Sequence, residues 1–330
     1  MTYLNRRTVM AAGLAATTAL TIAGGAVAQD APTLRLSSVV SDNDIRAEAF
    51  AKISEAVSDQ INLEVYNGAT LVPQGTEMTA IQRGNLEMGL LAPQTIAEQI
   101  PEWSILTSAY LFDDADHLQA VFDSEVGETL NALAEEAGVH VLAPVYFGTR
   151  QVNLVGDEKV ETPEDLSGVT LRMPGGDAWQ FLGEAIGANP TPLAYSEVYT
   201  ALQTGAIDGQ DNPLPNDYNM KFYEVTDQIA MTGHLVGFDV LAIGTDVWDG
   251  MSPEQQEALQ GAVDEAIAES TERHIAREEE LVQFFKDEGL DVYEPDREAF
   301  REFAQQKYLE SEFAESWPEG MLEQINGLAE

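Results

Sequence analysis

Residues 195–213 are the most informative part of this 330-residue chain and read Tyr195-Ser-Glu-Val-Tyr-Thr-Ala-Leu-Gln-Thr-Gly-Ala-Ile-Asp-Gly-Gln-Asp-Asn-Pro213. Ser196 is a favourable N-cap for a short helix whose apolar side chains share one face, and Gly205 would end that helix. A short strand is expected to begin at Ala206 and to end in the polar residues 208–213. A polar cluster after a strand is typical of a ligand site in an open α/β sheet, although an ordinary surface turn has the same pattern.

The first part of the chain alternates strand-like and helix-like segments. Apolar residues alternate or run together in residues 33–39, 61–66 and 86–91, which predicts three strands. Helical periodicity separates them, in residues 45–57 and 76–83. This βαβαβ order predicts a parallel sheet with helices on its faces.

A second unit of the same kind follows a predicted helix and strand. Pro144 interrupts that strand, which indicates an edge strand or a crossing point rather than a central strand. The segments of this part are a helix over residues 118–137, strands over residues 140–147, 151–155 and 169–172, and a helix over residues 177–186. The chain therefore has the pattern of two similar α/β domains that meet near Gly148.

The longest predicted helix begins with Ser252 as its N-cap and Pro253 at its first position, and it continues to about residue 287. Its length is roughly 50 Å at 1.5 Å per residue, which is longer than one small domain. We therefore expect it to span both domains. The apolar residues predicted to form its buried line are Leu259, Val263, Ile267, Ile275, Val282 and Phe285.

The N-terminus and the composition indicate an exported, acidic protein. Arg6 and Arg7, an apolar run and Ala26-Val-Ala28 predict a signal peptide over residues 1–28, of the general secretory or the twin-arginine kind. Without it, 14 basic residues stand against 57 acidic ones, a net charge of −43. This charge argues against nucleic acids and anionic membranes as partners. The chain has no cysteine, so it has to fold without disulfides.

Motifs of enzymes and of cofactor sites are absent from the sequence. The four histidines have no partner at metal-ligand spacing, and no phosphate loop, dinucleotide fingerprint or Gly-x-Ser-x-Gly elbow occurs. Acidic residues also occur in pairs, but in so acidic a chain we interpret these pairs as parts of the solvated surface rather than as catalytic carboxylates. We therefore predict neither a metal nor a cofactor, although a cation held by carboxylates stays open.

The nine arginines that follow the signal peptide are more informative. Six of them fall on predicted helices among acidic residues and are interpreted as surface ion pairs: Arg46, Arg83, Arg273, Arg277, Arg297 and Arg301. Arg35, Arg150 and Arg172 lie in strand-like surroundings. Arg172 ends a strand, where a guanidinium could bind a carboxylate with two parallel hydrogen bonds. The alternative is a structural ion pair with one of the many carboxylates.

Several blocks together resemble the periplasmic solute-binding proteins of TRAP transporters. They are Glu197-Val-Tyr-x-Ala-Leu-Gln-Thr-Gly205, Asp208-Gly-Gln-Asp-Asn-Pro213, Gly148-Thr-Arg-Gln151, Thr162-Pro-Glu-Asp-Leu-Ser-Gly168 and Lys221-Phe-Tyr-Glu-Val225. The resemblance implies an α/β, two-lobed periplasmic-binding-protein-like fold with a long hinge-spanning helix. Lobe I would comprise residues 29–147 plus about 238–277, and lobe II residues 148–237 plus about 278–330.

The resemblance also implies a function. The chain would be a monomeric periplasmic receptor that closes on a small carboxylate, such as a C4-dicarboxylate, and delivers it to the membrane permease subunits of a TRAP transporter. A larger sugar acid or keto acid is the alternative ligand, and an exported enzyme using the same cleft is the alternative class. Pro93-Gln-Thr-Ile96 replaces the Glu and Arg of the sialic-acid branch, which argues against sialic acid.

The family's ligand-binding residues can be assigned by position. The resemblance implies that Arg172 anchors the ligand carboxylate, that Arg150 is a second cation and that Asn212 donates a hydrogen bond to the same carboxylate. Further residues are predicted to shape the rest of the pocket. They are Glu77, Gln94, Phe147, Trp179, Tyr195, Asp217, Phe238 and Asp239.

Overall fold

The structure is a computed structural model that describes residues 31–329, so the signal-peptide prediction for residues 1–28 lies outside the described residues. Within that range the chain forms nine strands that join in one sheet, in the order β2-β1-β3-β8-β4-β7-β5-β6, with β9 paired to β8. The strands are β1 Thr33–Ser37, β2 Asn62–Tyr66, β3 Met88–Leu91, β4 Val139–Leu154, β5 Thr170–Met173, β6 Asn189–Pro192, β7 Gly209–Pro213, β8 Gln228–Gly244 and β9 Asp291–Tyr293.

Thirteen α-helices and four short 3-10 helices connect the strands in the same part of the chain. The α-helices are α1 Ile45–Val57, α2 Glu77–Gln82, α3 Pro93–Ala97, α4 Ala115–Phe122, α5 Glu125–Glu136, α6 Asp177–Ala185, α7 Val198–Thr204, α8 Leu214–Asn219, α9 Thr245–Asp249, α10 Pro253–Asp287, α11 Arg297–Leu309, α12 Glu312–Glu315 and α13 Met321–Asn326. The 3-10 helices are Pro101–Thr107, Pro163–Leu166, Tyr195–Glu197 and Phe222–Glu224.

The parallel sheet predicted for the first part is confirmed, because β1 pairs in parallel with both β2 and β3. The second part repeats this arrangement, since β5 pairs in parallel with β6 and β7. Two long antiparallel strands, β4 and β8, join the two groups. The N-terminal part of β4 pairs with β8 alone, so it is an edge of the sheet. Pro144 lies in this part, where a proline needs no partner strand on its free side.

Apolar side chains cover both faces of the sheet. Alternate residues of β8 point to opposite faces, so Leu241 and Ile243 pack with α1 and α10, whereas Val240 and Ala242 pack toward α4 and α5. Parallel strands buried on both faces need helices on both sides, and the chain supplies them. None of the helices in residues 31–329 is long and apolar enough to cross a membrane.

The single helix predicted over residues 118–137 is wrong, because the chain breaks into α4 and α5. Ser124 adopts an extended backbone, and its side chain accepts a hydrogen bond from the Val126 amide as an N-cap. Gly127 then lets the new helix pass close to the preceding turn, since a Cβ there would lie 2.1 Å from the Phe122 carbonyl oxygen. The apolar periodicity continues across this break and does not reveal it.

The local structure predicted for residues 195–213 is also partly wrong. Ser196 is not an N-cap, because it lies inside the 3-10 helix Tyr195–Glu197 that leads into α7. Gly205 does end α7, with a φ of 69°. The strand, however, begins at Gly209 rather than at Ala206 and runs to Pro213. The polar residues 209–213, which were expected to end the strand, are themselves a buried strand between β4 and β5, so the alternative of a surface turn is wrong.

The long helix α10 has the predicted start and length, with 35 residues and a capping box between Ser252 and Gln255. Its buried line differs from the prediction in the middle. Ile275 is 41 % exposed, and Ser270 and His274 occupy the buried positions instead. The reason is geometric, because residues 267, 270 and 274 share one helical face, whereas residue 275 is rotated by about 100° from residue 274.

Candidate functional site

A cavity of about 390 Å³ lies where side chains of the first α/β group meet those of the second. The second group provides β4, β5, β7 and α6, and the first provides α1 and α2, with β8 between them. Eight of the eleven predicted site residues line it: Glu77, Phe147, Arg150, Arg172, Trp179, Tyr195, Asn212 and Asp239. The volume is within the range of small-molecule pockets.

Arg172 is the one cavity arginine that forms no ion pair with any residue of the described range. It lies near the C-terminal end of β5 and is 1 % exposed. Its Nε donates a hydrogen bond to the Leu193 carbonyl oxygen over 2.8 Å, and within residues 31–329 its buried Nη2 has no partner. Burial lowers the pKa of Arg172 to about 10, so the side chain stays charged near neutral pH. Arg172 is therefore a buried cation with an unused donor in the wall of the cavity.

Arg150 is held by an internal carboxylate. Its Nε and Nη2 donate to the two carboxylate oxygens of Asp211 over 2.6 and 2.9 Å, and His234 Nε2 lies 3.1 Å from the same carboxylate. Burial alone would raise the pKa of Asp211, but the charge of Arg150 holds that pKa well below its usual range. Arg150 is therefore a positioned cation whose charge is already balanced.

Aromatic rings cover the guanidinium groups of the cavity. The guanidinium carbon of Arg150 lies 4.8 Å from the centroid of the Trp179 ring, and that of Arg172 lies 5.9 Å from the centroid of the Tyr195 ring. Both distances are within the range of cation–π attraction. The predicted aromatic residues Trp179 and Tyr195 thus lie beside two arginines of the cavity.

The part of the wall contributed by α2 and β8 is acidic. Burial raises the pKa of Glu77 to about 7 and that of Asp239 to about 6, although Arg46 opposes the shift of Asp239. Both side chains are buried and line the cavity. This wall therefore offers hydrogen-bond acceptors.

Three predicted residues do not reach the cavity. Phe238 neighbours Asp239 on β8 and so points to the opposite face, where it packs 5.7 Å from both Phe112 and Phe122, centroid to centroid. Gln94 is buried in α3. Asp217 lies behind the cavity wall and accepts a hydrogen bond from Gln210.

Arg46 was predicted to be a surface residue, and this prediction is wrong. It is 2 % exposed, lines the cavity and forms ion pairs with Asp44 over 2.9 Å and with Asp239 over 3.2 Å. Its guanidinium lies 4.3 Å from the centroid of the Phe147 ring. The spacing in α1 contained a signal, because residue 46 precedes the buried Phe50 by four positions and shares its face.

Comparisons with known proteins show which family the chain resembles. The family model "Bacterial extracellular solute-binding protein, family 7" matches residues 36–315. The sialic acid-binding periplasmic protein SiaP of Vibrio cholerae is 32 % identical over 304 residues, with 88 % of this chain and 92 % of that protein covered. The C4-dicarboxylate-binding periplasmic protein DctP of Rhodobacter capsulatus is 30 % identical, with 84 % of each chain covered.

A solved structure is also similar. It is a TRAP periplasmic solute binding protein from Roseobacter denitrificans with bound 3-deoxy-D-manno-oct-2-ulosonic acid, at 47 % identity and a TM-score of 0.89. The match covers 91 % of this chain and 100 % of that chain. These likenesses confirm the α/β binding-protein fold and the resemblance stated from the sequence, and they are to solute-binding proteins rather than to enzymes.

Proposed function

The chain belongs to family 7 of the bacterial extracellular solute-binding proteins, and from this premise we propose that it is the TRAP-transporter receptor for a polyhydroxylated sugar acid. We therefore expect the protein to bind the larger acid more tightly than a C4-dicarboxylate, for the reasons given by its cavity. The observation that carries the proposal is the pairing pattern of the cavity: at one side lies a cation, Arg172, that has no ion-pair partner among residues 31–329, and at the other side lie hydrogen-bond acceptors.

The carboxylate of the ligand would bind to Arg172. The Nη2 atom of Arg172 is buried and has no hydrogen-bond partner within residues 31–329. An unsatisfied buried donor on a cation is unfavourable. A carboxylate supplies both the acceptor and the opposite charge. Asn212 and Arg150 line the same cavity and complete the proposed anchor.

The acidic wall favours hydroxyl groups over a second carboxylate. Glu77 and Asp239 accept hydrogen bonds, and the nearby charge of Arg46 is already shared between Asp44 and Asp239. At pH 8, above the raised pKa values of Glu77 and Asp239, a second carboxylate would therefore meet like charges, whereas sugar hydroxyls would donate to the same oxygens. The 3-deoxy-D-manno-oct-2-ulosonic acid bound to the similar Roseobacter denitrificans protein has this chemistry and supports the proposal.

Calorimetric titration of the purified mature protein at pH 8, where Glu77 with its pKa of about 7 is mostly ionised, tests the choice of ligand. We expect 3-deoxy-D-manno-oct-2-ulosonic acid, or failing it D-glucuronate, to bind at least about 100-fold more tightly than succinate, since a like-charge contact costs several kcal/mol. Glu77→Gln should narrow this gap by improving succinate binding. Tighter binding of succinate than of either sugar acid would overturn the proposal.

The same family supports a proposal about the location and the partner. We propose that the protein acts in the periplasm, that its predicted signal peptide of residues 1–28 is removed, and that it passes its ligand to TRAP permease subunits as a monomer. N-terminal sequencing of protein recovered from the periplasm should find Gln29 as the first residue. Recovery of the full-length chain from the cytoplasm would contradict this placement.

A further inference from the structure

We propose that Asp217 is a positioning residue, which sets the orientation of the Asn212 side-chain amide through Gln210 and thereby the hydrogen bond offered to the ligand carboxylate. This inference rests on the proposed function, because Asn212 is taken there as part of the anchor. Asp217 itself does not line the cavity.

The carrying observation is a chain of side-chain hydrogen bonds that all run in one direction. Arg46 Nη2 makes a long contact of 3.5 Å with Asn216 Oδ1, and Asn216 Nδ2 donates to Asn212 Oδ1 over 3.3 Å. Asn212 Nδ2 then donates to Gln210 Oε1, and Gln210 Nε2 donates to Asp217 Oδ1 over 2.8 Å. All five side chains are buried, so water cannot easily replace these partners.

The two ends of the chain determine its direction. A guanidinium can only donate, so Asn216 must turn its oxygen toward Arg46. At the other end, Gln210 Nε2 donates to Asp217 Oδ1 and, over 3.2 Å, to Asn153 Oδ1. The amide oxygen and nitrogen of asparagine or glutamine have nearly the same shape, so such end partners decide which atom faces which neighbour.

The orientation matters at Asn212. With Nδ2 turned toward Gln210, one of its two N–H groups is used there and the second can serve the ligand carboxylate in the cavity that Asn212 lines. If Gln210 reversed, its nitrogen would face Asn212, whose oxygen would turn toward it in response. The chain therefore determines how Asn212 meets an anion.

Asp217 ends the chain as the acceptor, because Gln210 Nε2 donates to its Oδ1 over 2.8 Å. Burial raises the pKa of Asp217 well above its usual value, although the hydrogen bond from Gln210 opposes this shift. The carboxyl group keeps Oδ1 as an acceptor for Gln210 in either protonation state, and asparagine has the same shape and also offers an acceptor oxygen. Asp217→Asn is thus the matched conservative variant, and Asp217→Leu removes the acceptor at similar size.

A double-mutant cycle on the full mature chain tests the inference, with 3-deoxy-D-manno-oct-2-ulosonic acid as the probe. We expect Asp217→Leu to weaken binding about tenfold, as the loss of one hydrogen bond of about 1.4 kcal/mol would do. Asp217→Asn should bind within about threefold of the wild type. When Asn212→Ala is already present, adding Asp217→Leu should weaken binding by less than about twofold. The same tenfold loss in both backgrounds would show a merely structural effect and overturn the inference.

A ligand-free measurement separates this inference from the proposed function. The side-chain amide protons of Asn212 should exchange slowly with solvent in the wild type and in Asp217→Asn, and faster in Asp217→Leu, as measured by NMR. Failure of the wild type to bind the probe would overturn the proposed ligand but leave this comparison valid. Unchanged exchange in Asp217→Leu would refute the positioning role whatever the ligand is.

Discussion

Replacing Arg172 by methionine should separate ligand binding from fold stability. Methionine fills a similar elongated space without the charge, and the wild-type side chain is 1 % exposed. The bond that would be lost from the fold is the one from Nε to the Leu193 carbonyl oxygen over 2.8 Å. The remaining buried donor has no partner within residues 31–329, so its loss costs the ligand-free protein nothing.

The magnitudes follow from these contacts. The lowering of the Arg172 pKa from 12.5 to about 10 by burial corresponds to an unfavourable free energy of about 3 kcal/mol for holding the charge in place. The bond to Leu193 contributes about 1–3 kcal/mol, so Arg172→Met should leave the ligand-free stability unchanged or slightly higher. Binding should lose roughly 2–5 kcal/mol, which is about a 30- to 5,000-fold weaker affinity.

Titration calorimetry with a sugar acid and urea unfolding without it measure the two quantities. Arg172→Lys should also bind poorly, because an ammonium cannot make two parallel hydrogen bonds to a carboxylate. The control is Arg35→Met, since Arg35 pairs with Glu87 over 2.8 Å and lies outside the cavity wall. Binding of Arg172→Met within a few-fold of wild type would refute the anchor. A loss of more than about 2 kcal/mol in ligand-free stability would instead identify Arg172 as a structural residue.

Three further predictions concern stability and motion. Burial raises the pKa of Glu278 to about 7, so the folded state binds more protons than the unfolded state between about pH 4.5 and 7, and stability should fall across that window. The free energy of unfolding, measured with urea, should differ between pH 5 and pH 8, and Glu278→Gln should remove about 2 kcal/mol of that difference. A difference that stays unchanged in Glu278→Gln would show that Glu278 does not cause this pH dependence. Gly148→Ala should destabilise the fold by more than about 2 kcal/mol, because Gly148 has a φ of 114° and a new Cβ would lie 2.7 Å from that of Pro213. Gly84→Ala is the control for the clash, since Gly84 also has a positive φ, of 68°, but a new Cβ there meets nothing within 4 Å. Finally, small-angle scattering should show a smaller radius of gyration when the sugar acid is added, and identical curves would argue against lobe closure.

Sequence periodicity predicted the regular elements of the first α/β unit well, because those elements depend on local apolar spacing. The helix Ile45–Val57 has the predicted bounds, and the strands β1, β2 and β3 fall within the predicted segments. The polar strand β7 could not be predicted in this way. Its Asp211 is buried because it pairs with Arg150, 61 residues earlier in the chain, and no pattern within the stretch itself shows that partner.

The same limit explains the errors at charged helix residues. Arg46 looks like a surface residue because charged side chains are seldom fully buried unless they are paired. Its partner Asp44 is near in sequence, but its second partner, Asp239, is 193 residues away. Asp239 lies beside Arg46 only because β8 is placed there in the folded sheet. The family's motifs supplied the residues proposed as the anchor, which periodicity could not, whereas the positions of Arg46 and Asn216 at the cavity come from the structure.

The charge pattern of the cavity links ligand binding to the expected closure. Arg46 and Arg150 have carboxylate partners within the described residues, and Arg172 has none there. A closed cavity without ligand would therefore keep Arg172 away from both water and a counterion, at a cost of about 3 kcal/mol, the equivalent of its lowered pKa. An open cleft would return water to the guanidinium. A bound carboxylate would offset this penalty in the closed state, and an offset of at most about 3 kcal/mol would change the ratio of closed to open molecules by at most about 100-fold. The unpaired arginine thus explains why the receptor should close on an acid and stay open without one.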